Sequence, residues 1–460
     1  MAVTDIKKKN KYPYYMEAPL ESGRVREFLD IFAVILEHSN YKYILDTYSR
    51  ISMKCSRCAS ECQLYQATGN PEDIPCYRTN ILLRIYKRHF TLSGWLKDKF
   101  IGGSELTETD IDEMLDSYYH CTACRRCTFF CPMGIEHGLI THLGRYIMSE
   151  MGIVPKALLV AVREQLDGKT KNTSAIPVPA LVDTLEFLEE ELEEMKGVKM
   201  KYPIDVEGAE YVFFPAVSDF LLEADTLMGN LAVLNSAGVS WTIGTGNFDG
   251  INYGLFYSDT ILGRIIRNEI AETRRLKGKK ILIGECGHAS RSAKVFVPTY
   301  NEGKEIPVIN CMELTLQLIE EGRIELDPDV ITEKVTYHDP CNIARSEWII
   351  EQPRKIIKSF IKNFVEMEPH GKYNLCCGGG GGTVSVDEIK PYRMDVAGKK
   401  KAEQLKATGA DLVITPCANC KKQIEEIIDH FKLPMKRVGL HDLILRAIKL
   451  KKEEHNGTDA

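Results

Sequence analysis

The chain has 460 residues, enough for about three domains. Its 44% hydrophobic and 27% charged residues are ordinary for a globular protein, and a formal net charge of -6 gives no case for nucleic-acid binding. No apolar run reaches the roughly 18 residues that span a bilayer. The basic residues near the N-terminus are not followed by an apolar signal segment. We therefore expect a cytoplasmic protein that another subunit would have to hold at any membrane.

Cysteine is the most informative component, with 15 residues in the chain. Nothing directs the protein to an oxidising compartment, so structural disulfides are not expected. Most of the cysteines are separated by only two or three residues, a spacing typical of ligands that converge on one metal centre. The sequence therefore predicts reduced thiolates that serve as metal ligands.

The first 50 residues are predicted to form a lead-in with one helix at about 23–40. A cysteine-rich helical region follows over 51–166. Within it, 110–120 has the acidic first turn of a helix, and Thr109 is the predicted N-cap.

One run of cysteines in this region has a well-defined spacing. Residues 121–131 read Cys-x2-Cys-x2-Cys-x3-Cys, and a proline follows. In two-cluster ferredoxins the first three cysteines of such a run bind one 4Fe–4S cluster and the fourth binds the other. A zinc site is the alternative, but zinc prefers two separated Cys-x2-Cys pairs. We therefore expect a ferredoxin-like domain over 51–166 with two cubane 4Fe–4S clusters.

The partner run is incomplete, because Ser52 stands where its first cysteine would be and Cys76 is the nearby replacement. We favour a crossed arrangement, because the fourth cysteine of each run is exchanged between clusters. Cluster A then has the ligands Cys55, Cys58, Cys76 and Cys131. Cluster B has the ligands Cys121, Cys124, Cys127 and Cys62. In the local alternative Cys62 joins cluster A, and the second run binds its own cluster.

From residue 207 onward the pattern changes, after a linker and an acidic helix at 167–206. Short β-rich runs at 211–214, 280–284, 334–338 and 411–415 alternate with helical stretches, which predicts α/β units with parallel sheets. The segments YVFFPAVSD and KKILIGECGHA parallel VTYHDPCNIAR and DLVITPCANC, so we expect two copies of one unit, at 207–330 and 331–450. Residues 451–460 are expected to be a disordered tail. The predicted fold class is α/β plus α, with the helical domain first.

A second cysteine group lies in the second copy: Cys341, Cys376, Cys377, Cys417 and Cys420. Five cysteines are too many for one ordinary cubane. The glycines at 378–382 let the backbone approach a ligand closely, because glycine has no Cβ. Each cysteine group follows a predicted strand, where open α/β sheets place their sites. Buried structural thiols and a phosphate loop are the alternatives, and the latter lacks its Gly-Lys-Ser/Thr ending.

The segments HDPCNIAR, LCCGGGGG and TPCANC resemble the cysteine-rich CCG domain of heterodisulfide reductases and their relatives. With the preceding ferredoxin module, the resemblance covers about residues 50–450. It is greatest to the fused catalytic subunit of membrane-bound heterodisulfide reductase, and extends to related cytoplasmic subunits of transmembrane redox complexes in sulfate reducers. In that family a complete CCG motif holds a noncubane 4Fe–4S cluster that cleaves or forms disulfides. The resemblance implies that the five cysteines named above are its ligands.

The first copy departs from this pattern. Pro215 stands where the second copy has Cys341, the TGNFDG segment has no cysteine pair, and only Cys286 remains. We therefore expect one noncubane centre. Cys286 and His288 are candidates to face it as a thiol and a proton donor. Alternatively they are a buried apolar residue and a satisfied loop histidine.

Other residues near the cysteines are further candidates. His338 is a candidate proton donor to a leaving thiolate, or it and Asp339 only hydrogen-bond the turn. Cys311 is expected in the core. Arg345 would favour an anionic substrate or thiolate. Lys421 and Lys422 would do the same, although exposed, solvated charge is the expectation for both lysines.

The leading hypothesis is an oxidoreductase subunit in which clusters A and B relay electrons to the noncubane centre. That centre would reduce a disulfide, or oxidise a dithiol, of a thiol cofactor or a small partner protein. The resemblance implies partners that include a membrane quinone- or haem-bearing subunit, a location at the inner membrane through a complex, and anaerobic respiration such as sulfate reduction. The alternative is the electron-transfer subunit of a flavin-dependent 2-hydroxyacid or glycerol-3-phosphate dehydrogenase, whose flavoprotein would be separate because the G-x-G-x-x-G fingerprint is missing. A non-catalytic electron wire is the third hypothesis.

Overall fold

The computed structural model describes residues 14–16, 23–102, 105–302 and 304–450. These residues form two compact units. Unit 1 contains the described residues up to Val160, with Tyr253–Ile261 and Leu375–Lys401. Unit 2 contains Ala161–Asn252, Leu262–Asn374 and the described residues from Ala402 onward. The tail predicted at 451–460 lies outside the described residues, and the domain boundaries proposed from the sequence stay a prediction.

Helices dominate the secondary structure. In chain order they span Arg24–Glu37, Tyr41–Ile51, Gln63–Thr68, Pro75–Phe90, Leu92–Ile101, Glu108–His120, Arg126–Phe129, His137–Glu150, Lys156–Asp167, Val178–Lys196, Asp219–Leu222, Ala224–Ser236, Asp259–Arg275, Gly287–Tyr300, Cys311–Glu320, Glu351–Phe360, Lys390–Tyr392, Lys399–Thr408, Ala418–Phe431 and Leu440–Ala447.

Unit 1 is helical apart from one small antiparallel sheet, in which β1 (Tyr14–Met16) pairs with β2 (Ile153–Pro155). The lead-in has a second helix, Tyr41–Ile51, that the sequence prediction missed. Its buried residues, Tyr41 and Leu45, have the four-residue spacing of a helix, so the signal was present in the sequence.

The prediction of Thr109 as an N-cap was wrong. The helix predicted at 110–120 begins at Glu108, and its N-cap is Thr107. The Thr107 hydroxyl accepts the Asp110 N–H at 3.2 Å, and the Asp110 carboxylate accepts the Thr107 N–H at 2.7 Å. This reciprocal capping box satisfies two backbone donors at once, whereas Thr109 already lies within the first turn.

Unit 2 contains two parallel four-stranded sheets. The first has β3 (Tyr211–Phe214), β4 (Trp241–Thr242), β5 (Lys280–Ile283) and β6 (Val308–Asn310) in the order β4-β3-β5-β6. The second has β7 (Val335–Tyr337), β8 (Phe364–Val365), β9 (Leu412–Ile414) and β10 (Lys436–Val438) in the order β10-β9-β7-β8. Read from the opposite edge, the second order repeats the first. The predicted fold class, a helical region with parallel α/β sheets, is confirmed.

The halves of unit 2 pack closely through small residues. Gly229, on the helix Ala224–Ser236, has no Cβ, and a Cβ placed there would lie 2.2 Å from the His441 carbonyl oxygen. The helix Leu440–Ala447 can therefore lie directly on the helix Ala224–Ser236 of the first half. The carboxyl ends of β5 and β9 also lie near each other, since the Ala418 N–H donates to the Glu285 carbonyl at 2.9 Å. Cys286 follows β5, and Cys417 and Cys420 follow β9.

Candidate iron–sulfur sites

Four cysteines of unit 1 line one cavity: Cys62, Cys121, Cys124 and Cys127. A 3-10 turn, Arg57–Glu61, delivers Cys62 to the start of a helix. The other three lie in the loop after the helix Glu108–His120 and in the short helix that follows. These are the four residues predicted for cluster B.

The loop around this cavity has the backbone that cluster ligation needs. Ala123 and Arg125 both adopt left-handed conformations, with φ of 50° and 62°, which curl the chain between successive cysteines. The Ala123 N–H points at the Cys121 Sγ, 3.4 Å away. Hydrogen bonds of this kind stabilise thiolates and tune iron–sulfur clusters. The residues present fit a 4Fe–4S cluster.

Two of the cysteines predicted for cluster A lie together. Cys58 and Cys76 are hydrogen-bonded to each other through their side chains, and the Ser56 hydroxyl lies 3.7 Å from the Cys76 Sγ. Cys55 is exposed, and Cys131 is half-buried close to the Tyr48 side chain. The assignment of these four as one ligand set remains a prediction.

Cys376 and Cys377 are also part of unit 1, and both are buried. The Gly378 N–H lies 3.3 Å from the Cys376 Sγ, and the Gly379 N–H lies 3.4 Å from the Cys377 Sγ. Both sulfurs therefore receive amide hydrogen bonds suited to metal-bound thiolates.

The glycine run brings this cysteine pair against the ferredoxin-like loop. A Cβ on Gly380 would lie 2.3 Å from the Thr122 carbonyl oxygen, and one on Gly381 would lie 2.8 Å from that of Cys121. Buried Arg145 joins the same segments by donating to the Cys121 and Gly381 carbonyls, at 2.6 and 2.7 Å. The sequence indicated close approach to a ligand; within unit 1 the glycines let two backbones meet.

Gln63 is a contact that sequence reasoning missed. Its buried side chain accepts the Cys376 N–H at 3.0 Å and donates to the Cys376 carbonyl at 3.2 Å and to the Ala397 carbonyl. Gln63, the residue after Cys62, thus hydrogen-bonds both backbone groups of Cys376. Only its position beside a cysteine hinted at this, since its partners lie more than 300 residues away.

Unit 2 contributes the three other CCG cysteines, Cys341, Cys417 and Cys420, all buried. Cys417 is the N-cap of the helix that follows β9, and Cys420 lies in its first turn. His338 directly follows β7, and one of its ring nitrogens lies within 4.8 Å of the Cys420 Sγ. His338 is thus close to a predicted ligand.

The first half of unit 2 supplies Cys286 at the matching position, the N-cap of the helix after β5. Its Sγ lies 3.3 Å from the His288 Nδ1, and the next residue, Gly287, donates its N–H to the Cys417 Sγ at 3.4 Å. Burial lowers the pKa of His288 to about 3, so its imidazole is neutral near pH 7. Cys286 and His288 therefore lie beside a predicted cluster ligand. Their roles stay a prediction.

Three of the further candidates make structural contacts. Asp339 makes two 2.8 Å contacts with the Arg354 guanidinium and accepts the Gly371 N–H. Arg345, expected to meet an anion, is buried and donates to the Lys372 carbonyl at 2.8 Å and to the Asn374 carbonyl, so it positions the segment before Cys376. Cys311 is buried, as expected for a core residue.

The expectation that Lys421 is solvated was wrong, whereas Lys422 is exposed. Lys421 is only 1% exposed, and its Nζ lies 2.6 Å from the Thr226 hydroxyl and 3.3 Å from Glu285. Burial opposes ionisation of Glu285, but Lys421 and His441 hold its pKa down to about 2. Thr226 and Glu285 belong to the first half of unit 2, and Lys421 belongs to the second. Because these partners are distant in the sequence, no local pattern indicates that Lys421 is buried.

A buried carboxyl in the same unit predicts a pH-dependent stability. Burial raises the pKa of Glu347 to about 8, although Lys294 at 3.6 Å and a hydrogen bond from Ser290 oppose the rise. The folded state holds this proton more tightly than the unfolded chain, so stability falls as pH rises from 4.5 towards 8. Glu347→Gln keeps the shape without the charge, and we expect it to melt at a higher temperature than the wild type at pH 9.

The same melting curves at pH 5 should nearly coincide, because the wild-type carboxyl is then protonated. Glu351→Gln, at an exposed position, is the control and should show no such difference. Equal melting temperatures of E347Q and wild type at both pH values would refute the effect.

Comparison with known proteins identifies two domains that contain these cysteines. The profile of the 4Fe-4S dicluster domain matches residues 53–135, and that of the cysteine-rich domain CCG matches residues 335–425. The chain therefore carries a dicluster domain, which implies two cubane clusters, followed by a CCG domain. Its resemblance to CCG-domain iron–sulfur oxidoreductases is confirmed, because iron–sulfur subunits of Hdr-like and heterodisulfide reductase complexes are among its relatives.

Three relatives illustrate the similarity. The Hdr-like menaquinol oxidoreductase iron-sulfur subunit of Archaeoglobus profundus is 27% identical, over 92% of this chain and 83% of its own length. One chain of the dihydromethanophenazine:CoB--CoM heterodisulfide reductase of Methanosarcina barkeri is 24% identical, over 86% of this chain and 93% of its own length. The EtfAB:quinone oxidoreductase of Syntrophomonas wolfei is 24% identical, over 85% of this chain but 56% of its own length.

Within the part of the chain that the structure describes, no helix is both long and apolar enough to cross a membrane.

Proposed function

We propose that this chain passes electrons through two cubane clusters to a noncubane 4Fe–4S centre, which reduces a disulfide or oxidises a dithiol. The proposed ligands of that centre are Cys341, Cys376, Cys377, Cys417 and Cys420. The observation that carries the proposal is that all five are present within the CCG match and all are buried. Amide N–H groups also point at three of the sulfurs, those of Cys376, Cys377 and Cys417.

The chemistry requires two electrons and two protons for each disulfide that becomes two thiols. The five cysteines would hold the noncubane cluster, which would supply one-electron transfer at this site. The protein's own residues exclude water and orient the ligands. Because the His288 imidazole is buried and neutral, its hydrogen bond to Cys286 fits a role in fixing that thiol rather than in carrying positive charge.

For the cubane clusters we propose the crossed ligand sets. The support is the single cavity that Cys62 shares with Cys121, Cys124 and Cys127. The proposed electron source is a membrane quinone- or haem-bearing subunit, since the relatives from Archaeoglobus and Methanosarcina are named as parts of a menaquinol oxidoreductase and a dihydromethanophenazine-linked reductase. A place at the cytoplasmic side of the inner membrane, in anaerobic respiration such as sulfate reduction, is part of this proposal.

The experiment uses anaerobically purified protein with reduced methyl viologen as the donor and no flavoprotein. The disulfide probes are cystine, oxidised glutathione and the heterodisulfide of coenzymes M and B. We expect two viologen cations to be oxidised per disulfide consumed, and we expect Cys417→Ala to abolish the reaction. If disulfides are consumed only after a flavoprotein is added, or at the same rate by C417A, the proposal fails.

A second candidate is electron transfer from a flavoprotein to a quinone pool, without disulfide chemistry. The similarity to the EtfAB:quinone oxidoreductase favours it. In that case no disulfide is consumed in the viologen assay, and reduction of the clusters requires a flavoprotein donor.

Gln63 is expected to position the CCG cysteine pair. Gln63→Leu leaves the buried Cys376 N–H without its acceptor, and such a loss costs about 1–3 kcal/mol. The melting temperature should fall, and the EPR line shape assigned to the CCG centre should change. Gln66→Leu, at an exposed position on the same helix, is the matched control. Identical melting and EPR behaviour in Q63L and Q66L would show that Gln63 has no positioning role.

A further inference from the structure

One helix of unit 1 carries its large apolar side chains on the outside. Leu92, Trp95 and Phe100, on the helix Leu92–Ile101, are 75%, 53% and 77% exposed, and Leu96 is also exposed. Their spacing of three, four and eight residues from Leu92 places all four on one face of the helix. Exposed large apolar residues are normal when single, but four on one ten-residue helix form a patch that indicates an interaction site.

The way the helix is attached explains why this face points outward. The helix follows Pro75–Phe90 after a single extended residue, Thr91, whose hydroxyl accepts the Gly94 N–H at 3.1 Å. Gly94 lies directly against the preceding helix, since a Cβ there would be 1.6 Å from the Lys87 carbonyl oxygen. The short helix thus packs through its smallest residue, and the bulky residues are left for a partner.

The sequence around the patch is basic, which favours a partner with negative charge. Residues 84–100 contain five Lys or Arg residues and one acidic residue, within a chain whose net charge is -6. Lys97 and Lys99, on the helix itself, are exposed, and the Lys99 ammonium lies 5.2 Å from the centre of the Trp95 ring. Tryptophan, phenylalanine and leucine bordered by lysine are the features of helices that lie in the interface of an anionic bilayer.

We propose that the helix Leu92–Ile101 binds an anionic lipid surface directly, with Leu92, Trp95, Leu96 and Phe100 inserted among the acyl chains. The basic residues then contact the acidic headgroups, whose negative surface potential attracts them. This contact would be additional to any membrane partner, and it is independent of the disulfide chemistry proposed above. It would hold the ferredoxin-like clusters close to the membrane from which electrons come.

The test is co-sedimentation of the purified full chain with vesicles. One set contains phosphatidylcholine alone, and the other contains phosphatidylcholine with about a third phosphatidylglycerol. We expect binding to the anionic vesicles that weakens as sodium chloride rises, because electrostatic attraction is screened by salt. The double variant Trp95→Glu with Phe100→Glu should bind the anionic vesicles at least tenfold more weakly.

Phe187→Glu is the matched control, since Phe187 is 61% exposed but lies on the acidic helix Val178–Lys196. It should bind like the wild type, and circular dichroism melting should show that all variants are folded. The proposal is overturned if the wild type binds neither vesicle, which would assign the patch to a protein partner, or if W95E/F100E binds as well as F187E. Iron content and viologen activity report on the clusters separately, so failure here and failure of the proposed function are distinguishable.

Discussion

Replacing Cys62 by alanine is expected to remove cluster B and to leave cluster A in place. Cys62 shares its cavity with Cys121, Cys124 and Cys127, although it belongs to the other cysteine run in the sequence. If the three proposed centres are all present, the iron content should fall from about twelve to about eight atoms per chain. Iron and acid-labile sulfide analysis of anaerobically purified protein measures this, and EPR of the reduced protein identifies which signal is lost.

The companion variant Cys76→Ala makes this result decisive. In the crossed arrangement Cys62 and Cys76 serve different clusters, so the two variants should lose different EPR signals. In the local arrangement they serve the same cluster and would lose the same signal, which would contradict our assignment. Cys311→Ala is the control, because Cys311 is buried but belongs to neither predicted ligand set; it should keep the full iron content.

Replacing Lys421 by methionine is expected to destabilise unit 2 strongly. The lysine is buried between Glu285 at 3.3 Å and Glu223 at 3.5 Å, and its removal leaves buried carboxylates without their cation. Loss of one partner from a buried ion pair costs about 3–5 kcal/mol. Denaturant unfolding followed by circular dichroism measures the change in free energy.

The neighbouring lysine provides the control for this prediction. Lys422 is exposed, and Lys422→Met should change the free energy of unfolding by less than about 0.5 kcal/mol. Adding Glu285→Gln to K421M should restore part of the loss, since it removes one of the unpaired charges. Equal stability of K421M and K422M would show that the buried network does not hold the halves of unit 2 together.

The features that the sequence predicted correctly are those with local signals. Closely spaced cysteines and alternating apolar runs are contained within a few residues, so they indicated the cluster domain and the parallel sheets. Alignment of the two repeats also picked out Cys286, which lies next to the residue that donates to the Cys417 sulfur.

Two of the features that were missed, the roles of Gln63 and Lys421, depend on contacts between distant segments. Gln63 and Cys376 are 313 residues apart, and Lys421 and Thr226 are 195 residues apart. No periodicity or spacing encodes such pairs. The N-cap was a local error: Thr107 and Thr109 are equally good capping residues by type, and only the reciprocal bond with Asp110 selects Thr107.

The central claim is that the CCG cysteines hold a third cluster that reacts with sulfur. The most direct measurement is EPR of the oxidised, anaerobically purified protein before and after a thiol is added, with iron counted in the same samples. We predict about twelve irons per chain, and a new paramagnetic signal that appears with thiol and is missing in Cys376→Ala. About eight irons per chain with no thiol-dependent signal would contradict the claim.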